Sequence, residues 1–207
     1  MDDYQVGDRL DHFIIEATVF EGALTRVYRA HDMLTEMVVA LKVPFGDILN
    51  QPVLYYHLQN EQRIGPQLSH PHIVRPVGCF EQRGKAYLAL EYLAGGDLVS
   101  LAGEPCRHWL AAIADVIAAL GSLHALGWVH RDLKARNVMF DRSGCAKLID
   151  FGSATRVGAH WVDGGTTREA VDPERGTAPA GPADDIYALA ALIHEMLYGL
   201  LPGEPLP

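Results

Sequence analysis

His130-Arg131-Asp132-Leu133-Lys134-Ala135-Arg136-Asn137, followed by Asp150-Phe151-Gly152, is the stretch on which the reading of this chain turns. It supplies, in fixed order, a carboxylate able to accept a proton and a cation able to face a phosphate. A carboxamide and a second carboxylate able to hold a hard divalent metal follow. In-line phosphoryl transfer asks little covalent work of a protein and depends on positioning and charge neutralisation. Asp132, Lys134, Asn137 and Asp150 suit those tasks.

Composition sets the frame for this motif. A chain of 207 residues, 49% of them hydrophobic, can bury one good core or two small packed lobes. The net charge of -9 and the lack of a Lys/Arg stripe argue against a nucleic-acid partner held through phosphates. The local cluster Arg131, Lys134 and Arg136 therefore needs a local reason. Cys79, Cys106 and Cys145 are odd in number, far apart and without a CxxC pair, so their spacing suggests neither a disulfide framework nor a zinc site. A reducing, cytoplasmic compartment is expected.

The acidic start Met1-Asp2-Asp3-Tyr4 lacks the apolar core of a secretory signal. The longest apolar stretch, Trp109 to Val129, is broken by Asp115, Ser122, His124 and two glycines, which predicts a buried helix rather than a membrane span. A non-classical export signal, of the kind a bacterial secretion machine uses, would escape this test.

Short β-rich runs fill the first half: Phe13-Ile14-Ile15, Arg26-Val27-Tyr28, Val38 to Val43 and Tyr87 to Tyr92, bounded by Gly, Asp and Pro. They predict a small twisted antiparallel sheet. Residues 53 to 64 read as one helix, stopped by Gly65-Pro66 because proline has no N–H to continue the ladder. Beyond Gly95-Gly96, which reads as a hinge, two helical patterns at about 107 to 126 and 184 to 198 flank a loop-rich stretch that holds both motifs. The expected organisation is an N-terminal lobe over 1–93 and a mainly helical lobe over 94–207.

From about residue 13 to residue 201 the chain resembles the protein-kinase superfamily, nearest to bacterial serine/threonine kinases of the eukaryotic type. His130 to Asn137 matches H-R-D-L-x-x-x-N, Asp150-Phe151-Gly152 matches D-F-G, and Val39-Ala40-Leu41-Lys42 resembles the V-A-I-K strand. The resemblance implies a two-lobed α+β fold and ATP and Mg2+ as cofactors. It implies that Lys42 orients the α- and β-phosphates and pairs with Glu61 on the predicted helix. Asp132 would orient the acceptor hydroxyl, Lys134 would steady the γ-phosphate, and Asn137 and Asp150 would hold the metal. Gly22, Val27, Ala40, Leu90, Glu91, Leu93, Asp97 and Met139 are the other implied cofactor-binding positions. Lys134, two places after Asp132, favours a protein Ser or Thr hydroxyl as substrate. Arg131 would either receive a phosphorylated activation loop, with Thr166, Thr167 and Thr155 as candidate sites, or pair with a nearby carboxylate.

The chain departs from the family's pattern in four places. The three glycines of G-x-G-x-x-G fall on Phe20, Gly22 and Thr25, so only one survives, which predicts a stiffer loop over the phosphates. Gly65 stands where the family usually places a bulky apolar residue, so a packing gap is expected. The A-P-E motif reads Asp172-Pro173-Glu174, and Ala170 replaces the tyrosine ahead of it. Elsewhere the pattern is kept: Asp97 resembles the acidic residue that meets the ribose and can serve as a helix N-cap at the same time.

The sequence also stops soon after the helix beginning Asp185-Ile186-Tyr187, where the family's later helices would follow. That helix is apolar around most of its circumference, so a covering partner or self-association over 185–198 is expected. The reading is thus a minimal ATP- and Mg2+-dependent serine/threonine kinase, in one version a bacterial effector secreted into a host cell. Its rivals are a pseudokinase or nucleotide-binding interaction module, and a small-molecule kinase. The last resembles H-G-D with no lysine two places on, which Arg131 and Lys134 do not match.

Overall fold

The computed structural model describes residues 4–22, 25–44, 52–82, 85–160, 178–200 and 202. The chain divides into two compact units, one of residues 1–67 and 74–93, the other of residues 68–73 and 94–207.

The first unit is a six-stranded antiparallel sheet of β1 (Arg9–Leu10), β2 (Phe13–Glu21), β3 (Thr25–Asp32), β4 (Met37–Pro44), β5 (Pro76–Gln82) and β6 (Lys85–Glu91), in the order β1-β2-β3-β4-β6-β5. Side chains alternate across a strand, so register decides which residues share a face. Val39, Leu41 and Val43 point into a core with Phe13, Ile15, Tyr28 and Tyr87. Their neighbours Ala40 and Lys42 turn to the opposite face. Pairing of Val27 with Lys42 and of Ala40 with Leu90 brings all four side chains to that face.

Helix α1 (Pro52–Ile64) belongs to this unit, and its Leu58 packs with Leu88 of β6. It stops at Ile64, where Gly65 and Pro66 enter a short 3-10 turn. A Cβ placed on Gly65 would meet Pro76 at 3.6 Å, an ordinary packing distance.

The second unit is built on α2 (Leu110–Ala125) and α3 (Pro182–Tyr198). Ile113, Val116, Leu120 and Leu123 of α2 and Leu192 and Met196 of α3 are buried in it. Between the helices lie β7 (Trp128–Val129), the hairpin of β8 (Val138–Phe140) and β9 (Ala146–Leu148), and β10 (Thr155–Arg156), which pairs with β7. Arg156 stacks over the Trp128 ring at 4.0 Å and donates Nη1–H to the Leu126 carbonyl. The segment 68–73 joins this unit because Leu148 N–H donates to the His72 carbonyl and Ile73 bridges Leu148 in parallel.

Gly95, expected at a hinge, is pinned within this unit. Its N–H donates to the Phe140 carbonyl at 2.8 Å, and a Cβ there would lie 2.6 Å from that of Phe140. On α3, Ile186 and Leu197 are 56% and 50% exposed, so its apolar circumference is covered on one side only. Among the described residues no helix is long and apolar enough to cross a membrane.

Candidate active site

The candidate residues fall into two sets, one in each unit. In the first, strand β4 carries Lys42 and α1 carries Glu61; Lys42 Nζ donates to Glu61 Oε2 at 2.7 Å. Glu61 is 4% exposed, so this is a desolvated, hydrogen-bonded ion pair rather than a surface one.

Val27, Ala40 and Leu90 lie half-buried on the same sheet face as Lys42. Phe20, opposite Val27, shares that face and is 53% exposed. Gly22 closes the β2–β3 connection by donating its N–H to the Thr25 carbonyl at 2.9 Å. A Cβ at Gly22 would sit 2.9 Å from the Phe20 ring and 3.2 Å from that carbonyl, so a larger residue there would crowd both. Glu91 N–H donates to the Arg75 carbonyl, and the Glu91 carboxylate takes the Arg75 N–H. Both groups therefore brace the end of β6. Leu93 is buried.

In the second unit the loop after β7 folds around one buried carboxylate. Asp185, at the start of α3, is fully buried and accepts His130 N–H on Oδ2 and Arg131 N–H on Oδ1, each at 2.8 Å. His124 Nε2 donates to Oδ2 at 2.7 Å. His130 Nδ1 accepts the Asp132 N–H at 3.2 Å, so its proton sits on Nε2, 3.1 Å from the Ile149 carbonyl. The ring packs edge-on against Phe151 at 5.2 Å between centroids. One imidazole thus ties the loop holding Asp132 to the segment that delivers Asp150.

Asp132 sits at the centre of the loop. Lys134 Nζ contacts both its carboxylate oxygens, at 3.1 and 2.9 Å. Asn137 Nδ2 donates to the Asp132 carbonyl at 2.7 Å and to its Oδ2 at 2.9 Å. With both amide hydrogens committed to Asp132, Asn137 presents Oδ1 as its remaining polar atom, the end a hard cation requires. Asp150 is half-buried with φ 63°, and its Oδ1 takes the Gly152 N–H at 3.4 Å. Two oxygen donors from separate residues suit Mg2+, which takes few protein ligands and keeps waters and phosphate oxygens.

Asp97 precedes the 3-10 turn Leu98–Leu101 at the cap position, but its carboxylate makes no capping bond. It bridges Met139 through the backbone, placing that half-buried side chain beside it in the chain's pairing. Thr155 lies in β10; Thr166, Thr167, Ala170 and Asp172-Pro173-Glu174 lie outside the described residues. His124 was not among the expected site residues. Its signal was one polar interruption in an apolar helix, which alone says nothing about a partner 61 residues away.

Residues 13–204 match the protein kinase domain family model. Among curated proteins, serine/threonine-protein kinase PknH of Mycobacterium tuberculosis (strain ATCC 25618 / H37Rv) is 31% identical over 210 residues, covering 97% of this chain and 33% of that protein. Serine/threonine-protein kinase pkn3 of Myxococcus xanthus is 29% identical over 215 residues, covering 92% of this chain and 38% of that protein. Serine/threonine-protein kinase Aurora-1 of Arabidopsis thaliana is 31% identical over 201 residues, covering 94% and 68%. The chain therefore spans little more than a third of the length of the two bacterial relatives.

Proposed function

This chain belongs to the protein-kinase family, and we propose on that premise that it is a serine/threonine protein kinase transferring the γ-phosphate of ATP, with Mg2+, to a protein hydroxyl. The observation that carries the reading is the grip of Asn137 on Asp132: two donated hydrogen bonds, at 2.7 and 2.9 Å, orient a carboxylate and a metal-facing carboxamide oxygen together. Asp132 orients the acceptor hydroxyl and takes its proton. Lys134, in contact with both Asp132 oxygens, supplies positive charge for the transferring phosphoryl group. Asn137 and Asp150 would hold Mg2+, which would supply positive charge against the phosphates.

In the first unit, Lys42 with Glu61 holds the α- and β-phosphates. The face bearing Val27, Ala40 and Leu90 takes the adenine, with Leu93 and the backbone of Glu91 at its edge and Gly22 over the phosphates. The uncapped Asp97 carboxylate, with Met139 beside it, suits a ribose hydroxyl and the base. The exposed Ile186 and Leu197 of α3 offer an apolar face to a covering polypeptide, a second copy of this chain or a substrate protein.

The test is transfer of radiolabelled phosphate from ATP and Mg2+ to the protein and to a generic basic protein, beside an Asp150→Ala control. Label that disappears with Asp150→Ala supports the reading. ATP binding without transfer would replace it with a nucleotide-binding module, a reading favoured by Phe20 and Thr25 at two of the three glycine positions.

A further inference from the structure

Three side chains far apart in the sequence meet beside the β8–β9 hairpin, all in the second unit and outside the residues assigned to phosphoryl transfer. His72 Nδ1 lies 3.0 Å from the Ala146 carbonyl and 3.3 Å from Cys145 Sγ. On the other side of the ring, His72 Nε2 stands 3.4 Å from Asp115 Oδ1, an ordinary histidine–carboxylate pair. Asp115 is itself held in place, because its Oδ2 accepts the Ala146 N–H at 3.1 Å.

Counting protons gives this arrangement its chemistry. A neutral imidazole has one N–H and one lone pair. With the proton on Nε2, the Nδ1 lone pair would face the Ala146 carbonyl oxygen. With the proton on Nδ1, the Nε2 lone pair would face the Asp115 carboxylate. Imidazolium donates from both nitrogens and so meets both acceptors. The thiol 3.3 Å from Nδ1 can supply the second proton with no exchange with solvent, and that transfer leaves a thiolate against a cation. A thiolate beside a protonated histidine is the nucleophilic form of cysteine.

The neighbouring titratable groups do not undo this. The His70 ring is 5.5 Å from that of His72, and burial, with the His72 charge adding to it, holds His70 below the usual histidine range. His70 therefore stays neutral and its Nδ1 accepts the His72 backbone N–H at 3.2 Å. Asp141 accepts the Cys145 N–H at 3.0 Å and is the carboxylate that opposes a thiolate. Its Oδ1 is also bonded by the Ser143 hydroxyl and N–H, and Lys147 offsets its charge.

We propose that Cys145 is held as a thiolate by protonated His72, with Asp115 orienting the ring, and is the site at which this chain reacts with hydroperoxides. The sulfur lone pair attacks one peroxide oxygen and the O–O bond breaks. The departing hydroxide takes the proton from His72 Nδ1 and leaves as water. Sulfur is oxidised by two electrons to the sulfenic acid, and the peroxide is reduced. A small thiol then condenses with the sulfenic acid, releasing water, and a second thiol exchanges with that mixed disulfide to restore Cys145. Cys145 is half-buried and the side chains of His72 and Asp115 are 21% and 25% exposed, so a small peroxide can reach the sulfur.

The whole chain, reduced and desalted, is alkylated with iodoacetamide from pH 5 to pH 9, and peptide mass spectrometry follows all three cysteines at once. Cys106 is exposed and serves as the internal reference. Cys145 alkylation should reach its plateau by about pH 7.5, whereas an ordinary thiol is still rising through about pH 8.5. At pH 6 Cys145 should outpace Cys106 by about tenfold or more, since its larger thiolate fraction outweighs its lower intrinsic nucleophilicity. His72→Gln should return Cys145 to the ordinary profile, and Asp115→Asn should move it part of the way, with circular dichroism confirming that both fold. One equivalent of hydrogen peroxide, with dimedone as the trap, should label Cys145 ahead of Cys106. A wild-type Cys145 profile that follows Cys106 overturns the proposal without recourse to any variant. So does a profile unchanged by His72→Gln, or dimedone label that appears first on Cys106.

Discussion

Asp185 Oδ1 accepts the Arg131 N–H at 2.8 Å while Arg131 stands in the left-handed region at φ 67°. A non-glycine residue there is strained by about 1–2 kcal/mol, and such strain persists only where surrounding bonds over-determine it. The fully buried Asp185 does this with two oxygens that receive three donors, from His130, Arg131 and His124. The loop that carries Asp132 is thereby shaped from behind by Asp185.

Asp185→Asn should therefore be worse than its small change of shape suggests. One carboxylate oxygen becomes an NH2 that faces donors, so at least one buried N–H loses its acceptor at a cost of about 1–3 kcal/mol. The Arg131 backbone should relax and phosphate transfer should fall with it. His124→Ala removes one of three donors and leaves both backbone bonds, so it should cost less. Urea unfolding of the two variants checks the order; equal losses would contradict this account.

For the Lys42–Glu61 pair, stability and activity should separate. Lys42→Met leaves a carboxylate that is 4% exposed without this cation, a loss of up to about 3 kcal/mol. Adding Glu61→Leu should recover most of that stability, because apolar replacement of a buried pair is often neutral. Activity should stay reduced by about 10²-fold or more in both variants, as for other lost transition-state contacts. Unfolding curves run beside label transfer decide the matter, and recovered turnover in the double variant would remove Lys42 from the phosphate-binding role.

What the sequence showed and what it hid divide along sequence separation. The strands at Phe13, Val27 and Val38 to Val43, and the stop of α1 at Gly65-Pro66, follow from alternation and from proline's missing N–H, which are local rules. Lys134 lies two residues from Asp132 and Asn137 five, so the motif carries its own geometry. The Lys42–Glu61 pair, 19 residues apart, was legible only through family resemblance. His72 and Cys145 lie 73 residues apart and meet at 3.3 Å, a contact no local rule shows. The Leu148 N–H bond to the His72 carbonyl and the bridge of Ile73 to Leu148 bring those segments together.

Gly65 should tolerate, and gain from, a methyl group. Its φ is not in the left-handed region, and a Cβ would meet Pro76 at 3.6 Å, an ordinary contact. Gly65→Ala should stabilise by about 0.4–1 kcal/mol, chiefly by restricting the unfolded chain. A lower denaturation midpoint would mean that this position needs glycine for a reason other than space.

Asp141 should make stability depend on acid. Its Oδ1 receives Ser143 Oγ–H at 2.6 Å, Ser143 N–H at 2.8 Å and Cys145 N–H at 3.0 Å, closing the β8–β9 turn. The Ser143 hydroxyl is the main cause holding this carboxyl below its ordinary value of 3.8, against an opposing effect of burial. A carboxyl depressed in the folded state contributes stability above the unfolded value and loses it as pH falls through the folded one. Asp141→Asn keeps an acceptor at that position but removes the charge, at a cost of about 1 kcal/mol at neutral pH. The stability gap between wild type and Asp141→Asn should hold constant down to about pH 5 and narrow progressively below 3.8. Urea unfolding of both proteins from pH 7 to pH 3 measures it, and a gap that widened with acid would reverse the sign assigned to Asp141.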